Sequence, residues 1–263
     1  MNEEQLTPFD IFHHLTLSAF VNSCRGLQAE IVFLKTEKLL NNLHNDKSQF
    51  VQFSENQPLL EEFIKVSRTD YESFVYVYNA SLLTYFTSVF DTYLSDITKF
   101  LLLMFPKSIP KDLSIPSELL FESKSKWEAI NRVVENKAFE ISYKSFTDRI
   151  LYIKEKFGLN LEIDEYKADL KVISSLRNDV IHNQNYIDCL LDDEGKLILK
   201  QIKPIQGPIQ ITGEILKKTE ATYRRIIVQF YLCISKQIFK IEDIESIDQS
   251  VDLLKIINVS KIK

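Results

Sequence analysis

The sequence predicts an all-α protein, and three observations carry that prediction. There are only 5 glycines in 263 residues, where ordinary usage of about 7% would supply roughly 18. Long stretches contain neither Gly nor Pro, the clearest running from Thr69 to Phe105. Three of the 7 prolines, Pro106, Pro110 and Pro116, fall in one short segment, PKSIPKDLSIPSE. Few glycines disfavour tight hairpins, and clustered prolines mark one loop rather than many.

The elements follow in order. Thr7-Pro8-Phe9-Asp10 reads as a helix start: a capping Thr, a Pro in the first turn, and an acid near the positive helix end. One or two helices then run to about Asn45. Residues 46–58 are polar and read as loop, and Leu59–Val66 as a short helix. From Thr69 one long helix ends near Met104. Its Ser73–Phe90 stretch carries no charge, but its tyrosines, Asn79 and Ser/Thr side chains point to a buried helix rather than a membrane span. After the proline loop, helices are expected at about 123–137, 142–157 and 164–183, with Gly158 at a left-handed C-terminal position. Asp193-Glu194-Gly195 reads as a turn, with Leu197–Leu199 and Ile209–Ile211 as short extended pieces. Thr212 caps a final long helix to about Lys240. The proline loop splits the protein into two helical groups, and the tail, 241–263, has no clear pattern.

Composition excludes several function classes. The glycines are too far apart for a G-x-G-x-x-G turn. The pair Gly207 and Gly213 is one residue too wide for a P-loop and lacks the following Lys-Ser/Thr, so phosphate cradles of both kinds are out. No H-E-x-x-H, G-x-S-x-G or C-x-x-C occurs, and no cluster has zinc-ligand spacing. The scattered Cys24, Cys189 and Cys233 suggest reduced thiols. The acidic N-terminus lacks a signal-peptide core, so a cytoplasmic location is expected. Net charge is −5, yet Lys196–Arg225 holds Lys196, Lys200, Lys203, Lys217, Lys218, Arg224 and Arg225 against Glu214 and Glu220. Any phosphate-binding patch is expected there.

Of the four histidines, His13, His14, His44 and His182, the last has distinctive neighbours. On an ideal helix with Arg177 at zero, Leu170 lies near about +20°, Ile173 about −40°, Val180 about −60° and Ile181 about +40°. Arg177 is centred in an apolar stripe, while Ser174, Asn178 and His182 form a polar strip at its edge. An arginine in that position is costly to bury unpaired. Its head snorkels out, or meets a carboxylate such as Asp91, or faces another subunit and a ligand.

The run Arg177-Asn178-Asp179-Val180-Ile181-His182-Asn183 resembles the motif of the HEPN superfamily, helical domains whose pattern is Arg, four to six residues often led by a polar one, then His. Val89-Phe90-Asp91 resembles the family's aromatic–acidic element, and His182-Asn183-Gln184-Asn185 its exit from the helix. The resemblance covers about Thr69 to Lys240. It implies a HEPN-like helical bundle, 69–240, with an N-terminal helical extension, 1–68, a short hairpin-like insertion before the last long helix, and a tail, 241–263. It further implies a homodimer whose motif helices, 164–183, form a composite cleft, and a metal-independent endoribonuclease of toxin–antitoxin or antiviral defence type that needs no cofactor. An antitoxin or other defence-system partner is also implied. Arg177, His182 and Asn178 would then be catalytic, with Asp91 and Asn183 in support and the Lys196–Arg225 cations on the RNA. The alternative class is a catalytically silent helical dimer acting as a partner- or nucleotide-binding scaffold.

Overall fold

A computed structural model describes residues 7–45, 71–108, 123–182, 187–191, 196–201 and 211–241. Among these residues the architecture is all-helical apart from one two-stranded antiparallel sheet. Six α-helices are described: α1 (Pro8–Asn45), α2 (Tyr71–Met104), α3 (Lys126–Ser142), α4 (Phe146–Phe157), α5 (Lys167–His182) and α6 (Gly213–Gln237). Strands β1 (Ile187–Leu191) and β2 (Leu197–Gln201) lie between α5 and α6 and pair antiparallel, with Ile187 opposite Gln201 and Leu191 opposite Leu197. The expected loop at 46–58, the short helix at 59–66 and the tail beyond Ile241 lie outside the described residues, as does the expected turn Asp193-Glu194-Gly195.

Local chemistry sets the helix ends. Thr7 and Asp10 cap α1 reciprocally: the Asp10 amide donates to Thr7 Oγ1 at 3.2 Å and the Thr7 amide to Asp10 Oδ2 at 2.8 Å. Ser125 Oγ accepts from the Glu128 amide at the start of α3, and Ser145 Oγ from the Asp148 amide at the start of α4. Gly158 closes α4 at φ 65°, where a side chain would be strained. Thr212 Oγ1 accepts from the Ile215 amide at the start of α6.

The core lies where α2 meets α1, α5 and α6. Phe90 of α2 is fully buried and stacks on Tyr223 of α6, ring centroids 4.2 Å apart, while Phe146 of α4 meets it edge-on at 5.3 Å. Burying one such ring contributes on the order of 2–3 kcal/mol. At the other end, Phe12 of α1 packs on Phe100, Tyr231 and Phe239. The first turns of α1, which the sequence reading grouped with an extension, therefore belong to the common core through Phe12 and Ala19. Gly26 makes this approach possible: a Cβ there would stand 2.3 Å from Phe86 Cε1.

Helix α5 turns its apolar stripe inward. Leu170, Val172, Ile173 and Leu176 are buried and Val180 packs against the same core, leaving Ile181 at 43% exposure. Most of the stripe is thus covered within the chain. Asp169, also buried, ties α5 to its neighbours. It accepts from the Leu197 amide at 3.2 Å and the Thr222 hydroxyl at 3.4 Å, and pairs with Lys218 at 3.2 Å. The start of β2 is thereby fastened to the helix that precedes the hairpin.

Candidate functional site

The middle of α2, the α3–α4 corner and the second half of α5 surround a cavity of about 560 Å³. Helix α2 brings Thr87, Ser88 and Asp91. The corner brings Ser142, Tyr143, Lys144, Ser145, Phe146 and Arg149. Helix α5 brings Ser174, Arg177 and Asn178. Among the described residues, three cations thus share the space with one carboxylate.

The pairing within it differs from the sequence expectation. Asp91 is held by Arg149, not by Arg177. Arg149 Nη1 makes a short contact to Asp91 Oδ1, and Nη2 donates to the Asp91 carbonyl at 3.0 Å and to Ser95 Oγ at 2.9 Å. Arg149 is 1% exposed, whereas its carboxylate partner is half-exposed toward the cavity. Phe146, one turn before it, lies against the guanidinium at 5.8 Å. Arg149 escaped the sequence reading, yet it carries the same signal as Arg177. With Arg149 at zero, Phe146, Ile153 and Ile150 fall within about 100° on one side and Tyr152 about 60° on the other. It too is an arginine set in an apolar stripe.

Arg177 takes the snorkelling option. It is half-buried, and its Nη1 donates to Asn178 Oδ1 at 3.1 Å at the cavity lining. The hydrogen bond orients the planar fork without supplying a countercharge. Lys144, an exposed residue of the lining, has its ammonium 5.8 Å from the centroid of the Tyr152 ring. The N-terminus of α4 also borders the cavity, with Ser145 at its N-cap. Behind the lining, burial pushes the Tyr223 phenol well above its ordinary range, so it stays a neutral hydroxyl within 3.4 Å of Thr87 Oγ1. The cavity therefore has the chemistry of an anion site: fixed guanidinium and ammonium groups, several hydroxyls, and one carboxylate already neutralised.

The remaining expected site residues are distributed as follows. His182 is the last residue of α5, one turn beyond Asn178, but its side chain lies outside the described residues, as do Asn183, Lys203 and the side chain of Lys200. In the expected cationic segment, Lys218 is taken by Asp169 and Arg224 by the buried Glu220 at 3.0 Å, which also accepts from Ser23 at 3.1 Å. Lys217, Arg225 and Lys196 are exposed. None of the five whose side chains are described lines the cavity, whose described cations come instead from α4, α5 and the α3–α4 corner. Among the described residues no group of three or more His, Cys, Asp and Glu is placed to hold a metal ion, and no helix is long and apolar enough to cross a membrane. In comparisons with known proteins, no family model, no curated protein and no solved structure matches the chain.

Proposed function

We propose that the protein is a metal-independent endoribonuclease of HEPN type, cytoplasmic and active in toxin–antitoxin or antiviral defence. The observation that supports this reading is the grouping of Arg177 and Asn178 with Arg149 and Lys144 around one cavity, at the end of the helix that terminates in His182. RNA carries its own nucleophile, so the protein needs only to move protons and meet phosphate charge. The 2′-oxygen attacks the adjacent phosphorus and the 5′-oxygen leaves. One product ends in a 2′,3′-cyclic phosphate and the other in a 5′-hydroxyl.

The imidazole of His182 is the group that can take the 2′-OH proton or return one to the leaving oxygen. Arg177 offers a planar, bidentate cation to the charge growing on the phosphate oxygens. Asn178 orients the guanidinium. On one helix Arg177 and His182 diverge by about 140°. Two chains bringing the ends of α5 together would place two Arg and two His around one scissile bond. Because the apolar stripe of α5 is covered, that interface would rest on its polar edge, near Ser174, Asn178 and Ile181.

The test is incubation of purified protein with total RNA in excess EDTA, wild type beside His182→Ala. Cleavage by the wild type alone, with cyclic-phosphate ends, is expected. Equal cleavage by His182→Ala would remove the catalytic assignment and leave the scaffold reading.

A further inference from the structure

Two aromatic rings stand in water beside the cavity. Phe139, in the last turn of α3, is 62% exposed, and Tyr143, just past its end, is 77% exposed. Their ring centroids are 4.9 Å apart and their planes meet at 82°, so each props the other upright without covering it. Tyr143 lines the cavity that holds Arg177 and Lys144. Phe139 lines a neighbouring cavity of about 350 Å³ together with Lys99, and Ser142 lines both.

We infer that Phe139 and Tyr143 form a stacking subsite for an unpaired nucleobase of a single-stranded polynucleotide, whose backbone phosphate is received by Arg177 and Lys144. The choice of polynucleotide rests on the ribonuclease reading. The subsite itself rests on the juxtaposition of exposed rings and cations. Any base offers a π-face, so stacking on aromatic side chains binds single strands with little sequence preference. Bases inside a duplex are already stacked and cannot enter. Charge favours this occupant over an apolar protein segment. Lys99 and Lys144 flank the pair and Arg177 stands across the cavity, while Asp91 is neutralised by Arg149. Glu135 in the second cavity is the opposing charge.

Fluorescence anisotropy with a short 5′-fluorescein oligodeoxyadenylate tests the subsite apart from cleavage, because that probe lacks the 2′-OH nucleophile. Wild type should bind it more tightly than a duplex of the same length. Phe139→Ala/Tyr143→Ala should weaken binding by about tenfold or more, with an unchanged melting temperature because both rings are exposed. Tyr143→Phe should restore it. Trp127 is the single tryptophan, so Trp127→Phe/Tyr143→Trp carries one indole at the subsite, and its emission should be quenched as the oligonucleotide binds. Undiminished affinity in the double alanine variant, an unquenched indole at saturation, or failure of wild type to bind the single strand would each overturn the inference. So would a loss of self-association in the double variant with no loss of oligonucleotide binding, which would make the rings a contact between copies. If His182→Ala still cleaves RNA while stacking is observed, the ribonuclease reading fails and the subsite stands. The reverse result removes the subsite alone.

Discussion

Arg149 reaches from α4 to Asp91 on α2 and holds it by side chain and main chain at once. The cation is enclosed and the anion is half open to the cavity. This asymmetry decides what each partner's loss would cost, and it releases Arg177 from any structural duty toward Asp91.

Asp91→Ala should therefore be the more damaging single change. It leaves a buried guanidinium facing only Ser95 and a carbonyl, and loss of one partner from a buried pair costs on the order of 3–5 kcal/mol. Arg149→Met should cost less, since Asp91 can hydrate through the cavity. The double variant should be more stable than Asp91→Ala alone. Urea melts of the four proteins check this. A cost below about 1 kcal/mol for Asp91→Ala would mean that water reaches Arg149 from the cavity.

Arg177→Ala should leave the fold nearly intact, with a change of about 1 kcal/mol or less, because the side chain is half-buried and bonds to its own neighbour. RNA cleavage should fall by on the order of a hundredfold or more. Arg177→Lys should fail as well, since an ammonium cannot form the planar fork. Asn178→Ala removes the bond that orients the guanidinium but leaves its charge in place, and should cost about tenfold or less. Cleavage rates measured beside melting curves separate these effects. Full activity in Arg177→Ala would refute its assignment to the phosphate.

Gly26→Ala should lower the melting temperature by several degrees. The added Cβ meets the ring of Phe86, which is 2% exposed and has no room to swing away. Overpacking costs about 1–3 kcal/mol, more than the roughly 1 kcal/mol that alanine gains over glycine in a helix. Adding Phe86→Leu should recover part of the loss. A rise in melting temperature for Gly26→Ala would show that α1 shifts on α2 at little cost.

Glu220 should leave a trace in the pH dependence of stability. Burial raises its carboxyl above the ordinary 4.5, outweighing the lowering by Arg224 and Ser23. A carboxyl raised on folding binds its proton more tightly in the folded chain. It adds stability as pH falls through the raised value toward 4.5, and withholds that stability above it. Glu220→Gln should thus compare more favourably with wild type at about pH 7.5 than at about pH 5. A constant difference between the two proteins across that range would contradict the assignment.

The sequence by itself determined what near neighbours along the chain control. Thr7 with Asp10, Gly158 and Thr212 were legible because capping joins residues within one turn of each other. The long uninterrupted helix over Tyr71–Met104 was legible because no residue in it breaks the backbone pattern. The conflict at Arg177 was legible too, since periodicity shows when a cation interrupts an apolar stripe. Arg149 carries that same signal and was passed over.

Only the tertiary structure decided how those conflicts resolve. Periodicity says that the Leu170–Ile173–Val180 stripe must be covered but not by what, and within the chain α2 and α6 pack against α5. Asp91 had two arginines to choose from, one 58 and one 86 positions away, and distance along the chain ranked neither. The Lys196–Arg225 cations looked like one patch in sequence, but Lys218 and Arg224 turn to buried carboxylates, while at the cavity Arg149 is paired with Asp91 and Lys144 and Arg177 supply the positive charge. Charge pairing depends on separation in space and on burial, and both are set by how the helices pack.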